Sequence, residues 1–149
     1  MLFRAPLIAL CMAFAAHAAD TPTPAAAPTD PLAGARKLLQ AHQYAAAAED
    51  LRKVNATGNA DWNNLMGYAL RKQPKPDLDG SQRYYDTALR INPQHKDALE
   101  YSGELALMKG DLPTAEARLA ALAKLCSSPC EQLDDLKQAI AKHKASGKS

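Results

Sequence analysis

Large and small side chains return at fixed intervals along the middle of this chain. The segments opening at Tyr44, Leu78 and Leu112 align at steps of 34 residues. Four columns result: Tyr44/Leu78/Leu112, Ala47/Ser81/Ala115, Leu51/Tyr85/Leu119 and Val54/Ala88/Leu122. Offsets of 0, 3, 7 and 10 fall on one face of a 3.6-residue helix, so the pattern predicts three amphipathic helices. The small residue in the second column marks where a neighbouring helix comes close. Each of these helices is preceded by another, in which Ala35, Gly67 and Gly103 hold the matching small position. Their spacing is 32 and then 36 residues. The longer turn RKQPKPDLDG explains the slip, because its two prolines stop a helix from running through. Gly110-Asp111 makes the same turn more tightly, glycine ending one helix and aspartate opening the next.

The pattern closes with SPCEQLDDLKQAIAKHKAS, which predicts a seventh helix. Ser128, Pro129 and Glu131 read as a capping box with proline at the first helical position. Leu133, Leu136 and Ile140 form its apolar stripe, and Lys and His gather at its C-terminal end, where the helix dipole favours them.

Paired helices in a 34-residue unit with these columns resemble the tetratricopeptide repeat (TPR). The third unit, YSGELALMKGDLPTAEARLAAL, carries Gly103, Ala106, Gly110, Leu112, Ala115, Leu119 and Leu122 in the family's order. The second carries Gly67, Tyr85, Ala88 and Pro93. The first departs from the pattern, with Ala35 in place of the usual glycine and no closing proline. The stretch LCSSPCEQLDDLKQAI after the third unit is also similar to small exported bacterial TPR proteins. The resemblance implies an all-α fold, a right-handed α-solenoid of three TPR helix pairs over residues 30–59, 60–93 and 94–126. A C-terminal capping helix and short tail would occupy residues 127–149. It also implies a concave groove, lined by the first helix of each unit, that holds a segment of another protein. The groove positions fall on Arg36 in the first unit, Asn64, Tyr68 and Arg71 in the second, and Asp97, Glu100 and Glu104 in the third. The second set is basic and aromatic and the third acidic, so a pure carboxylate clamp is not expected. Trp62 and Tyr101 are expected to serve packing between units.

The N-terminus changes where this fold is expected to work. MLFR and the apolar run APLIALCMAFAA precede Ala16-His17-Ala18, the pattern of a signal peptide over residues 1–18 cleaved between Ala18 and Ala19. Lipidation of Cys11 is the rival reading, but Leu10 stands where a small residue normally precedes a lipidated cysteine. Residues 19–29, ADTPTPAAAPT, have three prolines and no large apolar side chain, as expected of a flexible leader. The mature chain is therefore expected to be periplasmic or secreted, with no later membrane span. Weak self-association is a further expectation.

Charge narrows the partners. Eighteen Lys and Arg against sixteen Asp and Glu give +2, and losing Arg4 with the signal leaves +1. Nucleic acid is not expected as a partner, since phosphate binding needs a basic stripe. Nothing in the sequence reads as an enzyme: no nucleophile elbow, phosphate loop or dinucleotide fingerprint occurs. His42, His95 and His143 lie in different units and read as surface histidines. No cofactor and no metal are expected.

Cys126 and Cys130, separated by three residues, are the remaining candidate chemistry. An even number of cysteines in an oxidising compartment favours a disulfide. Two other readings stay open. Cys130 near a helix N-terminus would be a more reactive thiol, and two thiolates joined by Met108 or His95 would suit a soft metal. A structural subunit of an envelope assembly is the third functional class that the sequence allows.

Overall fold

The computed structural model describes residues 30–147. The expected signal peptide, its cleavage point at Ala18 and Ala19, Cys11 and the leader lie outside the described residues. The described chain forms seven helices and no strand: α1 (Ala33–Gln40), α2 (Tyr44–Val54), α3 (Ala60–Arg71), α4 (Leu78–Ile91), α5 (Lys96–Met108), α6 (Leu112–Leu125) and α7 (Glu131–Ala145). The expected starts at Tyr44, Leu78 and Leu112 are the observed starts of α2, α4 and α6.

Local chemistry sets these boundaries. Asn59, Asp77, His95 and Asp111 each accept a hydrogen bond from a backbone N–H in the first turn of α3, α4, α5 and α6, satisfying donors that have no partner within the helix. Gly110 takes φ 77°, a left-handed conformation that ends α5 and that glycine adopts without steric cost.

The helices pack as three antiparallel pairs, α1 with α2, α3 with α4 and α5 with α6, and each pair also contacts the next. The odd-numbered helices touch in series, whereas α2, α4 and α6 do not touch one another. One side of the stack is therefore closed along α1, α3, α5 and α7, and the other side opens between α2, α4 and α6. Ala47, Ser81 and Ala115, the small column, are all fully buried. A side-chain carbon added at Gly67 would lie 2.7 Å from the Tyr85 ring, so α3 and α4 meet as closely as the absence of a side chain permits.

The core falls into two apolar clusters. One joins α1, α2 and α3 around Leu39, Leu51, Trp62 and Met66, and the other joins α4 to α7 around Leu99, Leu122, Leu136 and Ile140. Buried polar groups lie between them: the Ser81 hydroxyl donates to the Gly67 carbonyl, beside the fully buried Tyr85. Trp62 packs between units as expected, its indole N–H donating to the Leu51 carbonyl at 2.8 Å.

The last helix corrects the expected capping box. Cys130, in extended conformation, is the residue that caps α7, and the helix opens at Glu131. Ser128 and Pro129 lie in the link before it. The sulfurs of Cys126 and Cys130 are at bonding distance, with Cα atoms 5.8 Å apart, and Ser128 and Pro129 lie in the non-helical turn between them. Leu136 and Ile140 are buried against α5 and α6, and Leu133 is partly so. No helix among the described residues is long and apolar enough to cross a membrane.

Candidate functional site

The closed side of the stack carries the expected groove residues, but divides them into three groups. Arg36 of α1, Asn64 and Tyr68 of α3, and Asp97 of α5 line one cleft of about 340 Å³. Tyr101 lines it too, although the sequence pointed to a packing role. It does both, because its ring lies 4.8 Å from that of Tyr68 and 6.4 Å from that of the buried Tyr85. Tyr44 extends the aromatic wall, 6.2 Å from Tyr68.

Arg71 is not a free groove residue. It is 6 % exposed, its Nη2 lies 2.6 Å from Glu104 Oε2, and its guanidinium stands 5.6 Å from the ring centres of both Tyr68 and Tyr101. Burial opposes its charge, but Tyr85 and Glu104 beside it outweigh that effect and hold its pKa above the ordinary arginine value. The contrast between a basic second unit and an acidic third is thus largely neutralised by one internal ion pair. Arg71 and Glu104 line a second hollow of about 510 Å³, with Lys142 and His143 of α7.

Glu100 forms the third group. It is 6 % exposed, and burial, with Glu104, Asp135 and Asp97 nearby, raises its pKa to about 8 against the pull of Arg71. At neutral pH it is mostly a neutral acid. Burial likewise raises the pKa values of Tyr68 and Tyr101, so both rings enter the site as neutral phenols.

One arrangement had little signal in the sequence. His95 caps α5 by accepting from the Ala98 N–H through Nδ1 at 3.3 Å, which leaves Nε2 to donate to Asp61 Oδ1 at 2.9 Å. The other oxygen of Asp61 accepts from Arg36 at 3.1 Å, and Arg36 also reaches Asp30. Side chains of α1, α3 and α5 are therefore tied at one end of the cleft. His95 is buried rather than the surface histidine expected. Its place directly before the α5 pattern was the available clue, since capping residues sit there. At the α7 side, Gln132 donates to Asp97 at 2.9 Å.

Asn64 stands apart. It is 2 % exposed, lines the cleft, and its Oδ1 is buried without a hydrogen-bond partner. A buried amide oxygen in this state costs about 1–3 kcal/mol. The site as a whole offers an aromatic wall, a paired arginine at its edge, and a buried acceptor. Among the described residues no three His, Cys, Asp or Glu side chains converge as a metal site.

The fold and site together define an all-helical stack of paired helices with a polar-aromatic cleft along its closed side. No protein-family model matches the chain, and no curated protein matches it either.

Proposed function

We propose that this chain is an exported, non-catalytic TPR-type adaptor that holds a segment of another protein in the cleft between α1, α3 and α5. In this reading the three helix pairs are TPR units in a right-handed solenoid, and α7 closes the last hydrophobic face. Residues 1–18 direct export to the periplasm or beyond. The observation that carries the proposal is the shared cleft itself, where Asn64 and the rings of Tyr68 and Tyr101 line one hollow between α1, α3 and α5. The Asn64 side chain contributes a polar contact to a bound segment, while Tyr68 and Tyr101 contribute apolar area. The interlocked Arg36–Asp61–His95 contacts hold the cleft before binding, which lowers the ordering cost of association.

The test pairs function with stability in one substitution. Asn64→Leu removes the unsatisfied oxygen, so the fold is expected to gain about 1 kcal/mol in urea unfolding. Peptides selected from a displayed random library on the natural chain are expected to lose binding to the same variant. Selection that yields no common peptide sequence, or peptides that bind Asn64→Leu and Tyr68→Ala unchanged, overturns the reading. N-terminal sequencing of the chain from an envelope fraction tests export, with Ala19 expected as the first residue.

A further inference from the structure

The open side of the stack has two hollows, one of about 280 Å³ between α4 and α6 and a larger one between α2 and α4. In the first, charges are balanced: Arg118 faces Asp86, Lys109 reaches Asp79 and Gln82, and Asp111 also lines it. The second, of about 590 Å³, is lined by Arg52, Arg83 and Arg90 and by no carboxylate. Glu49 pairs with Arg52 from outside the hollow. Among the described residues, Arg83 and Arg90 have no acid within ion-pair distance. The Arg90 guanidinium is steered by the Thr87 hydroxyl at 3.4 Å. Behind these cations stands an aromatic wall, with Tyr84 edge-on to Trp62, ring centres 5.8 Å apart. The Trp62 N–H is already engaged by Leu51, so the wall offers mainly carbon surface.

Arg52 is already met by Glu49, which leaves Arg83 and Arg90 on this concave surface without an ion pair among the described residues, for an anion to meet. Arginine's planar fork matches phosphate oxygens two at a time. We propose that the hollow between α2 and α4 is a binding site for a small phosphate-bearing molecule. Its phosphate oxygens sit on Arg83 and Arg90, with Arg52 at the rim, and its carbon portion lies on Tyr84. This site faces away from the cleft and stands independently of the adaptor reading.

Trp62, the single tryptophan of the chain, lines the hollow and reports on it directly. Its fluorescence is followed in the full chain during titration with inorganic pyrophosphate at low ionic strength. In a second arm, phosphatidylglycerol vesicles are compared with phosphatidylcholine vesicles. A saturable change with pyrophosphate is expected, weakened at least ~10-fold in the double variant Arg83→Ala, Arg90→Ala, as befits two lost charge-assisted contacts. Both arginines are exposed, and an unchanged helical circular dichroism signal verifies the fold. The double variant Lys124→Ala, Lys137→Ala, which removes the same net charge elsewhere, is expected to bind as the natural chain does. The same arginine dependence with phosphatidylglycerol vesicles alone supports the site and makes a lipid headgroup the source of the phosphate. No saturable change with either probe, an undiminished response in the arginine variant, or equal weakening in the lysine variant overturns the proposal.

Discussion

Replacing Glu100 by glutamine is expected to stabilise the fold at high pH and to flatten its pH dependence. The Glu100 carboxyl is buried among Glu104, Asp135 and Asp97, with Arg71 the nearby cation, and its pKa rises from 4.5 to about 8. Between those values the folded chain keeps the proton and the unfolded chain releases it. Because the unfolded state binds fewer protons, stability falls as pH rises through this window. Below about pH 4.5 the contribution is fully present, and above about pH 8 the folded state carries the ionised group at its full cost. At about 1.4 kcal/mol for each tenfold change in proton affinity, the ceiling is about 5 kcal/mol. Asp135 is exposed and solvent screens its share, so roughly 2 kcal/mol is the expected effect. Urea unfolding at pH 5, 7 and 9 measures it. Groups common to both proteins cancel in the difference between natural chain and Glu100→Gln, which should grow to roughly 2 kcal/mol in favour of the variant by pH 9. Parallel pH profiles, or a variant less stable at pH 9, would refute the argument that burial and the acidic neighbours govern this carboxyl.

Gly67→Ala and Gly103→Ala should separate in thermal unfolding. Both gain about 1 kcal/mol of helix propensity, but at Gly67 the new carbon meets the rigid, buried Tyr85 ring at 2.7 Å, whereas at Gly103 it meets the methyl ends of the buried Leu136 side chain, which can change rotamer. Gly67→Ala is expected to lose about 1–3 kcal/mol to overpacking, and a smaller loss at Gly67 than at Gly103 contradicts the packing account. Replacing Cys126 and Cys130 together by serine should lower stability by about 2 kcal/mol, the loop-closure entropy of so short a link. Urea unfolding reads the loss, and a reductant should mimic it in the natural chain and leave the variant unaffected. Asp61→Asn weakens the tie between Arg36 and His95 and is expected to cost about 1 kcal/mol, with faster amide exchange at the start of α3 and α5.

Neighbours along the chain set the local order of this protein. Helix starts at Tyr44, Leu78 and Leu112 were legible because a 3.6-residue period, proline and glycine act within a few neighbours along the chain. The capping role of Asp111 and the close approach at Gly67 were legible for the same reason. Ser128 misled because a capping-box pattern is only local, and the chain stays non-helical through Cys130, which caps α7 in its place. Most of the cleft residues were identified as facing one side, yet their states were not. Arg71 became internal through Glu104, 33 positions later, and Glu100 became a weak acid because it is buried, with Glu104 and Asp135 beside it. Asp61 and His95 met across 34 residues. The three arginines of the open side came together because α2 and α4 diverge over α3. Burial and proximity set charge state, pairing and accessibility, and both are properties of how the helices stack. How the helices stack settles which polar side chains hold the fold together and which remain for a ligand.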